Sequence, residues 1–263
     1  VTQLQALIFD VDGTLAETER DGHRVAFNRA FKAIGLNWHW SVEQYGELLE
    51  IAGGKERLHH YLTTSHPDFQ APPDYGSLQG LITSLHQAKN RFYQQVLQAH
   101  EIPLRYGVRR LIEEARQQRV RLAIATTSTP ENAAALLEST LGSDSLSWFE
   151  VIAAGDMVPQ KKPAPDVYHY VLQKLALPPT ACLAIEDSYP GLVAASRAGL
   201  KTVVTVNRYT QHQDMGQAVA VLTHLGDPEH PCEVLAGYPD IGPIFTLAAA
   251  RQIHAAGRVP VDA

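Results

Sequence analysis

The segment Leu4–Leu15, LQALIFDVDGTL, constrains this chain more than any other. Leu4 to Phe9 is a short, largely apolar run, and Asp10, Asp12, Gly13 and Thr14 close it at once. A run of that length bounded by turn formers predicts a buried strand of a parallel sheet, with polar groups at its C-terminal end. Asp10 and Asp12 stand two residues apart, so continued strand geometry would put both on one side. Two carboxylates that close repel unless a cation or a shared proton intervenes. On those residues alone, an acidic turn after a strand is an equally good reading.

Downstream the hydrophobic period changes. From Ala16 to Gln98 apolar residues recur at helical spacing: Val25, Phe27, Ala30, Phe31 and Ile34, then Tyr45, Leu48 and Leu49, then Leu78, Leu81, Ile82, Leu85, Phe92 and Val96. Thr18–Asp21 has capping-box spacing, Ser41 precedes a second helix, and His66–Gly76 reads as loop. Short apolar runs return at Val120–Ala125, Val151–Ala154, Ala181–Ile185 and Thr202–Val206, alternating with helical segments. Such alternation predicts parallel strands joined by crossover helices. The expected fold is α/β: a Rossmann-like parallel-sheet core, residues 1–15 and 99–263, with an inserted all-helical cap domain, residues 16–98. In the tail, Ala218–Leu222 reads as an edge strand, Pro228–Pro243 as loop and Ile244–Ala255 as a helix.

Composition narrows the function classes. With 263 residues and 45% hydrophobic content the chain can bury a substantial core. No run of eighteen apolar residues is present, so no membrane span is expected, and no basic segment feeds an apolar run at the N-terminus. Cys182 and Cys232 make neither a disulfide framework nor a metal motif, which fits a reducing cytoplasm. A net charge of −6 argues against nucleic acid as the main partner.

Polar clusters close three of the apolar runs: Asp10/Asp12, Thr126–Thr127–Ser128 and Glu186/Asp187, and Lys161/Lys162 stand in a proline-rich loop. In a doubly wound sheet, strand ends converge on one crevice. Taken singly, each cluster has a plain reading: Thr126 as a helix cap, Lys162 as a solvated loop lysine, Glu186/Asp187 as a loop carboxylate pair.

Together and in this order, strand-DxDGTL, strand-Thr, KPxPD and strand-EDSxxG resemble the haloacid dehalogenase-like phosphohydrolases, over the chain up to Val206. The resemblance implies Asp10 as nucleophile and Asp12 as general acid/base. It implies Mg²⁺ held by Asp10, the Asp12 carbonyl and Asp187, with Glu186 binding directly or through water. Lys162 would neutralise charge, and Thr126, Thr127 and Ser128 would hold phosphoryl oxygens. Phosphonatase-like members lack the second aspartate and dehalogenases lack the DxDGT pattern, so Asp12 and Gly13–Thr14 argue against both. Lys161 departs from the family's usual glycine, and the lysine directly before Pro163, Lys162, takes the catalytic role.

Within that family, Ala16–Glu19, His23–Asn28, Gly53–Arg57, Leu85–Lys89 with Tyr93, Ile102–Arg105 and Ala125–Asn132 resemble the CbbY proteins. That branch implies a phosphatase of xylulose-1,5-bisphosphate in the Calvin cycle, acting through an aspartyl phosphate. Alternatives are a broad sugar-phosphate phosphatase, a beta-phosphoglucomutase-like enzyme, or an inactive sugar-phosphate-binding protein. A bisphosphate needs a second docking site. Gly54 would admit close backbone approach, and Lys55, Arg57, Lys89, Arg91 and Arg105 would supply cations there. Glu17 and His23 would face the sugar or the closing cap. The plain alternative for these residues is solvated surface charge. The expected partner is a small sugar phosphate or bisphosphate, the expected state a monomer, and the expected compartment the cytoplasm, or the plastid stroma for a processed plant or algal chain.

Overall fold

The computed structural model describes residues 3–51 and 53–256. It forms two compact units, Val1–Glu17 with Pro103–Ala263, and Thr18–Ile102. The first strand, β1 (Ala6–Phe9), is buried throughout.

The second unit is helical. Thr18–His23 makes a π-helical turn that runs directly into α1 (Arg24–Ala33). Thr18–Asp21 lies inside that turn, with Asp21 ion-paired to Arg20 at 2.8 Å. Helix α2 (Val42–Leu48) is capped by Ser41, whose Oγ accepts from the Gln44 amide at 3.1 Å. Helices α3 (Gly54–Ser65) and α4 (Leu78–Gln98) follow. Helix α1 packs along α4, burying Phe27 and Phe31 on one side and Leu81, Ile82 and Leu85 on the other. Each such side chain taken fully out of water contributes about 1.5–3 kcal/mol. Trp40, whose backbone is bracketed by the Asn28 amide group at 2.8 and 3.0 Å, centres an aromatic cluster with Phe27, Phe31, Tyr45 and Tyr61.

In the first unit the chain continues through α5 (Val108–Gln117), β2 (Arg121–Ala125), α6 (Pro130–Leu141), β3 (Val151–Ala153), α7 (Asp166–Leu175), β4 (Cys182–Glu186), α8 (Tyr189–Arg197), β5 (Lys201–Thr205), β6 (Ala220–Leu222), β7 (Val234–Gly237) and α9 (Leu247–Ala255). Among the described residues these strands form one sheet, ordered β3-β2-β1-β4-β5-β6-β7, parallel except for β7. This is the expected α/β class. Along the central strands side chains alternate: Ala6, Ile8, Ala123, Ala125 and Ala184 pack with Val167, Val171, Ala194 and Ala195 of α7 and α8. Helices α5 and α9 contribute nothing to that cluster and contact β2 and β4. Strand order reverses beside β1, which lies between β2 and β4, so the open crevice is at their C-terminal ends.

One element differs from expectation. Ala220–Leu222 is interior, and the edge is β7, inside the segment 228–243 that reads as loop. Its prolines and glycines hide a short strand, which antiparallel pairing with β6 and the Thr223–Glu233 hydrogen bonds stabilise. Tertiary pairing overrides local propensity here.

Candidate active site

Asp10 follows β1, its amide tied to the Ile185 carbonyl of β4 at 3.0 Å. Lys162 Nζ donates to Asp10 Oδ1 at 2.6 Å, to Glu186 Oε1 at 2.6 Å and to the Ala125 carbonyl at 2.9 Å. One ammonium, 6% exposed, therefore joins the ends of β1, β2 and β4. Lys161 is exposed. Burial alone would depress the Lys162 ammonium, but Asp10 and Glu186 outweigh it and push its pKa up.

Asp187 lies beside them, and the ligand oxygens of Asp10, Glu186 and Asp187 all fall within 4.8 Å of one another. Burial, then repulsion from Asp10 and Glu186, raises the Asp187 carboxyl well above the usual range; the Arg105 and Lys162 charges oppose this. Burial also raises Glu186, against the pull of Lys162 and with the push of Asp10, to about 7. Ionised together, three buried carboxylates beside one ammonium would carry excess negative charge, and an all-oxygen donor set suits a hard divalent cation. These residues fit such an ion. Glu186 Oε1 already accepts from Lys162 and from the Tyr168 hydroxyl, while its Oε2 is buried with no hydrogen-bond partner among the described residues.

Asp12 is treated differently from Asp10. It is only partly buried, and its Oδ2 accepts from the Ser128 hydroxyl at 2.5 Å. Gly13 has φ +85°, and a Cβ there would overlap the Asp187 carboxylate, so the turn needs glycine. Thr126 is buried, with its Oγ1 accepting from the Ser128 amide at 3.1 Å, while Thr127 is exposed. Ser128, expected on a phosphoryl group, donates its hydroxyl to Asp12.

Two groups in this site are absent from the sequence reading. Asn207 Nδ2 donates to Asp187 Oδ2 at 2.7 Å. It ends the strand-bearing run Thr202–Val206, so the rule that polar residues after strands line the crevice would have found it. Tyr168 is buried on α7 and donates to Glu186; nothing in its helical spacing distinguishes it from a core aromatic.

The helical unit gathers a second set. Gly54 begins α3, and a Cβ there would sit 3.0 Å from the His86 ring. Lys55 is exposed. Lys89 is buried, its Nζ 5.4 Å from the Phe27 ring centre and 5.2 Å from that of Tyr93. The His23 ring lies 4.0 Å from that of Tyr93, and its buried Nδ1 has no hydrogen-bond partner among the described residues. Burial, then the charges of Lys89 and Arg57 and the nearby His86, lower the His23 pKa well below its ordinary value. Burial, then Lys89 and Lys55, lower that of His86. The charges of Lys55 and Lys89 thus act on two histidines that they help keep neutral, and His86 is absent from the candidate residues of the sequence.

Three arginines expected at a second phosphate have partners or exposure of their own in the structure. Arg57 is buried and donates to the Leu48 carbonyl at 2.9 Å, the Tyr45 hydroxyl at 2.9 Å and the Ile51 carbonyl at 3.4 Å, so it shapes its own unit. Arg91 is exposed, and two helical residues from Lys89 places it some 200° around α4. Arg105 is spent on backbone carbonyls and on Glu17, which it meets at 3.1 Å. A guanidinium reads the same in sequence whether its acceptors are substrate or protein.

Residues 4–199 match the family described as haloacid dehalogenase-like hydrolase. The chain is 49% identical over 216 residues to the protein CbbY of Rhodobacter capsulatus, covering 82% of this chain and 91% of that one. It is 47% identical over 228 residues to the plasmid-encoded CbbY of Cupriavidus necator, covering 87% and 88%. A crystal structure of a mutant CbbY from Rhodobacter sphaeroides, in complex with xylulose-(1,5)bisphosphate, superposes with TM-score 0.72 at 42% identity, covering 84% of this chain and 94% of that one.

Proposed function

This chain belongs to the haloacid dehalogenase-like hydrolases, in the branch of the CbbY proteins, and from that premise we propose that it is a Mg²⁺-dependent phosphatase of a sugar bisphosphate, xylulose-1,5-bisphosphate. The observation that carries the reading is the unequal treatment of two aspartates two residues apart. Asp10 is buried and clamped by Lys162; Asp12 is partly exposed and accepts from the Ser128 hydroxyl. Separate environments let two like groups take separate roles.

Asp10 Oδ attacks phosphorus and the bond to the sugar oxygen breaks. Asp12, protonated and oriented by Ser128, gives its proton to the leaving alkoxide. The product is an aspartyl phosphate on Asp10. Asp12 then takes a proton from water, which attacks that phosphorus and frees Asp10 and inorganic phosphate. Lys162 offsets the repulsion between carboxylate and phosphoryl group throughout. Asp10, Asp187 and the Asp12 carbonyl would hold Mg²⁺, with Glu186 adding charge nearby; the ion supplies charge neutralisation at the phosphoryl oxygens. On the helical unit, Lys55 and Lys89 supply the charge for the second phosphate, and His23 stays neutral to face sugar hydroxyls. Among the described residues no helix is long and apolar enough to cross a membrane. The free buried cysteines Cys182 and Cys232 suit a reducing compartment, cytoplasm or stroma.

The test is phosphate release with Mg²⁺ across sugar monophosphates and bisphosphates. Lys55→Ala combined with Lys89→Ala should raise KM for the bisphosphate at least about tenfold and leave KM for monophosphates unchanged. Equal turnover of both classes, indifferent to the two lysines, overturns the bisphosphate reading; an isomerised sugar phosphate in place of free phosphate identifies a mutase.

A pH dependence follows as well. Glu186 holds its proton more tightly folded, at about 7, than at its ordinary 4.5. Without a cation the fold therefore loses stability as pH rises across that window. A divalent ion needs ionised carboxylates, so the melting-temperature gain from added Mg²⁺ should grow across the same window. Thermal melts at paired pH values check this; a gain that shrinks with rising pH contradicts it.

A further inference from the structure

The geometry points to Arg105 as a positioning residue that locks the turn after β1, the Asn207 turn and the C-terminal extension into one frame around Asp187. The side chain is 7% exposed and its donors serve three stretches of chain, around residues 13–17, 205–206 and 223. Nε meets Glu17 Oε1 at 3.1 Å. One terminal nitrogen, Nη1, donates to the Gly13 carbonyl and, at 2.8 Å, to that of Thr205. The other, Nη2, donates to the Val206 carbonyl at 2.6 Å and to that of Thr223 at 2.8 Å. A guanidinium has five N–H donors in a rigid fork, and here each finds an acceptor. The Arg105 amide also donates to the Leu15 carbonyl at 2.8 Å, and Ala16 bridges to Leu104.

These acceptors matter for where they lie. Gly13 follows Asp12, and its Cα packs so closely on Asp187 that a Cβ would overlap the carboxylate. Val206 precedes Asn207, whose amide holds Asp187 Oδ2. Arg105 thus fixes the backbone on both walls of Asp187 and, through Glu17, a carboxylate beside the same turn. The Thr223 carbonyl belongs to the stretch after residue 199, beyond the family match. Arg110 seats more of that stretch, donating to the carbonyls of Leu225 at 3.0 Å and Phe245 at 2.9 Å, but makes none of the contacts to Gly13, Glu17 or Val206. The extension is therefore part of the catalytic scaffold, with Arg105 as the link.

This rests on the reading of Asp10, Asp12 and Asp187 as reacting and cation-holding groups. The experiment compares Arg105→Lys and Arg105→Ala with Arg110→Lys, reading Mn²⁺ affinity by electron paramagnetic resonance, kcat, KM and melting temperature. A lysine keeps the charge but cannot span acceptors set this far apart. Both Arg105 variants should weaken Mn²⁺ binding several-fold and lower kcat at least about tenfold, since small displacements at a reacting centre are costly. Added guanidinium should restore part of the loss in Arg105→Ala. Arg110→Lys should lower the melting temperature and leave Mn²⁺ affinity and kcat within about twofold. If the Arg105 variants only melt earlier, with Mn²⁺ affinity and kcat like those of Arg110→Lys, the residue merely stabilises the fold and the proposal falls. Should neither Arg105 variant fold, hydrogen exchange on the wild type decides. The amides of Gly13, Arg105 and Thr223, bonded to Ala16, Leu15 and Glu233, must open together, and independent opening overturns the clamp. A wild type inactive on every sugar phosphate sinks the functional reading alone, since Mn²⁺ affinity and exchange need no substrate.

Discussion

Asp10→Asn should abolish phosphate release, by on the order of 10⁴- to 10⁶-fold in kcat, while leaving the protein as stable as the wild type or more so. The loss is chemical: an amide oxygen cannot displace the sugar oxygen and carry the phosphoryl group. Stability follows a separate logic. Asp10, Glu186 and Asp187 are buried together, and Asp10 raises the pKa of both partners by repulsion. Asparagine removes one of those charges and keeps the shape. Lys162 retains Glu186 at 2.6 Å and the Ala125 carbonyl at 2.9 Å, so no unpaired ammonium is left behind. Glu186 then ionises more readily, moving down from about 7. Phosphate release and thermal melting on the same preparation check both halves. Retention of a tenth of wild-type activity would remove Asp10 from the nucleophile's role. A large fall in melting temperature would show that the Asp10–Lys162 pair outweighs the carboxylate repulsion.

Lys162→Met should do the opposite to stability and nearly as much harm to activity. The ammonium is the only protein cation hydrogen-bonded to Asp10 or Glu186 among the described residues. Without it two carboxylates face each other in a buried site. Breaking a buried pair from one side costs about 3–5 kcal/mol, which at this size is a drop of roughly 6–20 °C in melting temperature. Lys162 holds the Glu186 pKa down, so its removal raises that pKa further above the ordinary value of 4.5. The variant therefore holds a proton on Glu186 at low pH and suffers little there, and its deficit widens as pH rises through neutrality. Activity should fall by about 10²- to 10³-fold, the usual cost of losing one preorganised electrostatic partner of the transition state. Chemical denaturation at several pH values, with and without Mg²⁺, tests the scheme. A deficit that is flat in pH would mean that Lys162 acts by packing over the Tyr168 ring, 5.3 Å away, more than by charge.

The two variants probe different properties of one hydrogen-bonded group. On the proposed mechanism Asp10 carries the reaction at an electrostatic cost, and Lys162 offsets that cost and takes part only through its charge. A site that keeps three buried carboxylates around one ammonium gives up stability without a cation and recovers it with one.

What local sequence decides is visible in particular elements. Short apolar runs end at polar residues, and each of β1, β2, β4 and β5 is such a run, because a strand buried on both faces tolerates few polar side chains before its end. Helix starts at Ser41, Ser77 and Thr129 are legible for the same reason: the side chain that caps lies three residues from the amide it satisfies. The carboxylates and lysine of the strand-end cluster are readable because ordered spacing along the chain survives whatever the fold does.

What sequence cannot decide is which distant groups a charged side chain meets. Arg57, Arg91, Lys89 and Arg105 are alike as letters. The fold commits Arg57 to carbonyls, buries Lys89 over two aromatic rings, leaves Arg91 exposed, and brings to Arg105 carbonyl acceptors from positions 92 to 118 residues away. Ser128, Asn207 and Tyr168 take their tasks in the same way, from carboxylates 116, 20 and 18 residues distant. Strand β7 exists because β6 offers it an edge. The sequence by itself determined the class of fold and the chemical groups present at the strand ends, since those depend on local apolar patterning. Only the tertiary structure decided which of those groups are free to meet a substrate and which hold the protein together, since that depends on partners that local patterning does not encode.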